Sequence, residues 1–313
     1  QTWPPPSHRV LFDDLGVEVK PKAPQQEAKR LLRRFVKLAA REPVPEEDLQ
    51  MFDALIQAQF AKNASFAEAM LAGYKAFLAS GDFIYVREPM KADDHFAIAS
   101  RLSHFLTNSR PDAKLMDLAQ NKKLRDPQTL RAETERLIAS TGFDRFVKNF
   151  TDCWLNLRHV RRDDLDIRLF PEYRFDEYLV ESMERETRTF FTSMIRDNLP
   201  ARVLVKTDFV FANDRLAKHY QLPPLTGSAM RKVTLPKDSP LGGLLTQAAV
   251  LKVSANGTTT SPVVRGAWVM ERLIGQPPPP PPASVPAVEP DIRGAKTIRD
   301  LLALHTKSKS CAA

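Results

Sequence analysis

Phe175-Asp-Glu-Tyr-Leu-Val-Glu-Ser-Met-Glu-Arg-Glu-Thr-Arg-Thr-Phe-Phe-Thr-Ser-Met-Ile-Arg196 decides the fold class. Tyr178, Leu179, Met183, Phe190, Phe191, Met194 and Ile195 recur at the spacing of one side of a long α-helix. Glu181, Glu184, Arg185, Glu186 and Arg188 are read as its outer, solvated side, with spacings that allow modest i,i+4 pairs. The same helical period recurs upstream. Ala28, Leu31, Leu32, Phe35, Val36 and Ala39 form one stripe, opposed by Lys29, Arg30, Arg33, Arg34 and Lys37. Leu49, Phe52, Leu55, Ile56 and Phe60 form a second. Ser65 with Glu68 reads as a capping box opening a third, which buries Phe66, Met70, Tyr74, Phe77 and Leu78. The expectation is a mainly α chain of several helical bundles, with a Pro-rich linker and at most a few short strands.

Punctuation marks the units. Residues 1–24, with Trp3-Pro-Pro-Pro6, Pro21 and Pro24, read as an extended arm pinned by Trp3 and Phe12. Residues 25–89 read as a three-helix domain, and residues 95–222 as a second helical domain. That second domain includes the aromatic stripe Phe143, Phe146, Val147, Phe150, Trp154 and Leu157, and a last helix over residues 209–220. Residues 231–313 form the third unit. Arg231-Lys-Val-Thr-Leu235 and Val203-Leu-Val205 are the plausible strands, 244–253 a buried helix, and 263–274 another ending at Gly275. Pro277 to Pro282 should be a stiff polyproline II rod, about 3.1 Å per residue.

The chain has 313 residues, with Lys+Arg 46 against Asp+Glu 38 for a net charge of +8. That balance permits weak attraction to acidic partners. The basic residues are not interleaved with aromatics as a nucleic-acid platform requires, so no nucleic acid is expected as a partner. No apolar run is long enough for a transmembrane segment. Cys153 and Cys311 build no disulfide framework, and Cys153 reads as a small core residue beside Trp154. Catalytic and metal sites are equally unsupported. Arg161-Arg-Asp-Asp-Leu-Asp166 lacks the glycine and terminal glutamate of a calcium loop. His104, Cys153 and His159 lack zinc spacing. No nucleophile elbow or acid/base pair appears, so enzymatic activity is left open.

Two stretches carry candidate binding chemistry. The polar loop from Ser254 to Ser261 precedes a helix N-terminus. Asn256, Thr258 and Ser261, with Arg265 one turn into the helix, could hold an anion or acidic sugar, or the loop could be an ordinary connection with a Ser-Pro cap. The second stretch is Lys309-Ser-Cys311-Ala-Ala313, whose last three residues form the first half of Cys-x-x-Cys-His, the haem c attachment motif.

Several strings together resemble a known family. They include Ser100-Arg-Leu-Ser-His-Phe-Leu106, Lys123-Leu-Arg-Asp-Pro127, Phe211-Ala-Asn-Asp214 and His219-Tyr220. Gly242-Gly-Leu-Leu245, Thr260-Ser-Pro262, Arg265-Gly-x-Trp268, the proline run and Lys296-Thr-Ile-Arg299 complete the pattern. The chain resembles planctomycete-type cytochrome c proteins, exported chains built from serial domains of unknown function. The resemblance implies that residues 231–313 are the front of a cytochrome c-like domain. It implies haem c for the parent protein, with Cys311 as its first attachment cysteine and none held by this chain alone. His305 could supply a further ligand or simply complement a helix dipole. The implied role is scaffolding for extracytoplasmic electron transfer, with a redox partner or other domains of the same protein as partners. The alternative is a non-catalytic module binding a glycan or protein.

Overall fold

The structure is a computed structural model that describes residues 3–85, 94–162, 168–170, 173–255, 257, 261–279 and 300. Cys311, His305, Asn256, Thr258 and Pro280 to Pro282 lie outside the described residues. The fold is mainly α, and the described strands form a single two-stranded sheet. The chain divides into two compact units between Phe146 and Val147.

The first unit begins with a correction. The arm is not extended throughout, because Pro6–Phe12 forms a helix, α1, started by proline at its first turn. Phe12 is buried while Trp3 is exposed, so Phe12 alone of the two pins the arm. The Tyr74 hydroxyl reinforces the attachment by donating to the Leu11 carbonyl at 2.7 Å. Helices α2 (Pro24–Ala39), α3 (Glu46–Ala61) and α4 (Phe66–Leu78) follow the predicted stripes except at Leu55 and Leu78, which are exposed. Phe35 stacks on Tyr74 with centroids 4.0 Å apart, and Phe52 meets Phe77 edge-on at 5.5 Å. Gly73 sets the α3–α4 spacing, since a Cβ there would lie 2.5 Å from the Ile56 side chain. The capping box of Ser65 and Glu68 is present in both directions. After the short α5 (Gly81–Ile84) come α6 (His95–Thr107), α7 (Ala113–Gln120) and α8 (Pro127–Ala139). Asp94, Asp112 and Asp126 cap these three helices by accepting from first-turn amides. Helix α9 (Phe143–Trp154) carries the aromatic stripe.

In the second unit, α10 (Glu177–Arg196) is the spine. Three sequence expectations change around it. Phe209–Ala212 is a strand, β1, not the start of a helix, and the helix is confined to α11 (Asp214–His219). Phe-Val-Phe-Ala is a short, wholly buried run of aromatic and β-branched residues, which suits a covered strand better than one face of a helix. It pairs antiparallel with β2 (Arg231–Thr234), Phe209 opposite Thr234 and Ala212 opposite Arg231. The segment around Val203 is not a strand but a 3₁₀ turn over Ala201–Leu204. The buried helix expected over 244–253 is broken into a 3₁₀ turn at Leu244–Thr246 and α12 (Ala248–Val253).

Gly242 and Gly243 hold positive φ, and a Cβ on either would collide with the carbonyl oxygens of Thr207 and Val205. Only glycine allows this backbone approach. Helix α13 (Pro262–Val269) runs into a π-helical turn, Met270–Ile274, closed by Gly275 in the left-handed region. Leu179, Met183 and Phe190 of α10, Phe209 and Phe211 of β1, and Leu244, Ala249, Val250 and Trp268 share one core. That core crosses the stretch between residues 222 and 231 where the sequence places a domain boundary.

Candidate functional site

The loop proposed from sequence as an anion site is only partly described, with Ser261 and Arg265 inside the described residues and Asn256 and Thr258 outside them. Ser261 begins α13 without a side-chain cap, although Pro262 stands at the first turn as expected. The Arg265 guanidinium turns back, its Nε donating to Ser254 Oγ at 3.2 Å. Ser254 is itself fully buried and donates to the Val250 carbonyl at 2.7 Å. Arg265 therefore ties α13 to the end of α12.

The turn after α13 is held from another direction. Trp154 Nε1 donates to the Arg272 carbonyl at 2.6 Å, and the Arg272 guanidinium returns a bond to the Cys153 carbonyl at 3.3 Å. Arg272 lies in the last turn before Gly275, where helix carbonyls have no intrahelical partner, so its carbonyl is open to this donor. Trp154 is fixed in turn by Phe150 and Phe191, whose rings stack 5.2 Å apart. Gln276 N donates to the Met270 carbonyl at 2.9 Å, so the peptide entering Pro277 is held. Cys153 is exposed, not the buried core residue read from sequence. Its backbone is used here while its thiol faces solvent.

The sequence places Glu186 on the solvated side of α10, yet in the structure it has no exposed surface. The Tyr220 hydroxyl donates to Glu186 Oε2 at 2.6 Å, and the Ala248 amide donates to the same hydroxyl at 2.7 Å. The chain of bonds thus links α10, the end of α11 and the first turn of α12. Glu186 Oε1 and Gln247 Oε1 are buried without a hydrogen-bond partner among the described residues. Burial pushes the Glu186 carboxyl up to about 8, outweighing the lowering by Tyr220 and the Ala248 amide. Burial, followed by the Glu186 charge, raises Tyr220 as well. Glu186 is therefore a neutral acid at pH 7, which lets it sit in a core at all. The sequence did carry a signal. Glu186 falls three residues after Met183 and four before Phe190, inside the apolar stripe.

A second network joins α10 to α11. Asn213 caps α11 through Leu216 N at 3.0 Å and donates to Ser182 Oγ at 2.8 Å. Tyr178 donates to Asp214 at 2.6 Å, and Arg215 Nε donates to Asp176 at 2.6 Å. Burial would raise the Asp176 carboxyl, but the Arg215 guanidinium and the Leu179 amide hold it below its usual range. These are joints of the scaffold. Glu186 touches no solvent.

Among the described residues no three His, Cys, Asp or Glu side chains gather at ligating distance, and His104 is engaged by the Ser100 carbonyl and Arg41. No helix among the described residues is long and apolar enough to cross a membrane.

No curated protein and no solved structure matches this chain. Two family models do. Residues 94–222 match PSD4, a protein of unknown function (DUF1592), and residues 241–313 match PSCyt3, a protein of unknown function (DUF1588). The first match runs from the cap of α6 to just past α11, and the second takes in α12, α13 and the anchored turn. Both models describe planctomycete cytochrome c domains of unknown function, and the chain belongs to that family.

Proposed function

We propose that this chain is the helical body that carries and orients a covalently attached haem in an extracytoplasmic electron-transfer protein. In this reading Cys311 is the first cysteine of the attachment motif, and the second cysteine and the histidine follow Ala313 in the full-length protein. Bound there, the haem would supply one-electron chemistry. This body's own residues supply position. The supporting observation is the anchored turn. Trp154, Arg272 and Gly275 fix the peptide that enters the proline run, and the core beneath it joins the two family-matched segments. A stiff run leaving a fixed point restricts where the following residues can lie. The partners are then a redox protein or other domains of the same chain.

The test is to produce the full-length gene product in a host that attaches haem c, and to measure the haem absorbance that stays with the denatured polypeptide. The proposal expects covalent haem in the native protein and its loss or weakening to a single thioether in Cys311→Ser. A full-length product without covalent haem, or one whose haem is indifferent to Cys311→Ser, overturns it.

A further inference from the structure

The first unit contains a groove of 730 Å³ that nothing in the haem reading uses. The last turns of α2, the α2–α3 connection and α7 enclose it. Its floor is apolar: Val36 and Leu49 are buried, and Val44, Phe96 and Met116 are half-buried. Its rim carries Arg33, Arg34, Lys37 and Arg110 against the carboxylates Glu42 and Asp117. The four cations differ in what they already hold. Arg33 is taken by Glu46, while Arg34 donates to the Val10 carbonyl at 2.8 Å and pairs with Asp13 at 3.3 Å. Lys37 has no hydrogen bond or ion pair among the described residues. Among the described residues the Arg110 guanidinium reaches only the Pro111 carbonyl, at 3.3 Å.

Two uncommitted positive charges therefore stand beside uncovered aromatic and thioether surface. The volume lies within the range of about 300–1,000 Å³ usual for small-molecule sites, which pair an apolar lining with a few placed polar groups. Charge decides the class of occupant. Asp117 already accepts from the Asn121 side chain at 3.1 Å and Glu42 is also engaged, so the charges left for an incoming ligand to pair with are Lys37 and Arg110, which a carboxylate satisfies and a cationic or neutral ligand does not. A small inorganic anion would leave Phe96 and Met116 uncovered. We propose that the groove binds a small amphipathic organic anion, with its carboxylate at Lys37 and Arg110 and its apolar body on Phe96, Met116 and Val36.

Isothermal titration calorimetry of the full chain with sodium decanoate tests this, with decyltrimethylammonium as the oppositely charged control. The proposal expects saturable one-site binding of decanoate, at least about tenfold tighter than the cation. The exposed or half-buried positions of Lys37 and Arg110 allow the double variant Lys37→Glu/Arg110→Glu to fold, which far-UV circular dichroism verifies. In that variant decanoate should weaken at least about tenfold. Decanoate that does not saturate, a cation that binds as well, or a folded double variant with native affinity would each overturn the proposal.

Discussion

Glu186→Gln isolates the energetics of the buried acid. The wild-type carboxyl is raised from 4.5 to about 8 in the folded protein. In the unfolded chain it loses its proton near the ordinary value. Between those two pH values the native state binds more protons than the unfolded state, so stability falls as pH rises. Below the lower value both states are protonated and nothing is lost. Above about pH 8 both are ionised and the loss is complete. At about 1.4 kcal/mol per pKa unit, the full loss is on the order of 5 kcal/mol, an upper bound that native-state relaxation would reduce. Glutamine keeps the shape and the acceptor for Tyr220 but does not titrate.

The assay is urea unfolding at about pH 5, 7 and 8.5, followed by tryptophan fluorescence. Trp154 and Trp268 lie in the second unit, and Trp3, in the first, is already exposed, so the change in signal on unfolding reports the unit that contains Glu186. The stability of Glu186→Gln relative to wild type should rise by several kcal/mol from the lowest pH to the highest. A difference that stays constant within about 0.5 kcal/mol across that range would refute the assignment of Glu186 as a neutral buried acid.

Other perturbations follow from the same geometry. Tyr220→Phe removes the donor to Glu186 and the acceptor of the Ala248 amide together, and should cost about 2–4 kcal/mol in the same unfolding assay. Gly243→Ala forces a Cβ against the Val205 carbonyl at positive φ, and should lower stability by about 2 kcal/mol or more, read as a lowered urea midpoint. Trp154→Phe keeps the aromatic packing but orphans the Arg272 carbonyl. It should cost about 1–2 kcal/mol and speed proteolytic cleavage near Gly275, followed by mass spectrometry of the fragments.

Helices α2 to α4 and α6 to α8 are legible because each buries one stripe; Ser65, Asp94, Asp112 and Asp126 cap four of them, and Pro24 or Pro45 stands at the start of the other two. Their local signals and the final packing agree, as at Ser65 with Glu68 and at Asp126 with Pro127. What was misread depends on partners distant in sequence. Phe209–Ala212 becomes a strand through pairing with residues 231–234, which no local window contains. The Val203 region has no such partner among the described residues, and it coils into a 3₁₀ turn. Glu186 was given to solvent because glutamate usually belongs there. Its burial follows from the hydroxyl of Tyr220, on the far side of β1 in the chain. The anchor of the π-helical turn was hidden for the same reason, since Trp154 and the carbonyl it binds at Arg272 are 118 residues apart. The strings around Phe211 and Gly242 were readable as a family pattern. The structure gives them physical content: Asn213 caps α11 and braces Ser182, and Gly242 and Gly243 admit the carbonyls of Thr207 and Val205.

Amide hydrogen exchange, resolved by residue, tests most directly whether the parts of the two family-matched segments that lie in the second unit share one core that fixes the peptide entering the proline run. If they share a core, the amides of Val250, Trp268 and Leu273 should open together with those of Met183 and Phe190, at one free energy and with one denaturant dependence. Fast exchange over residues 248–274 while α10 remains protected would contradict it, because the proline run would then leave from an unanchored segment.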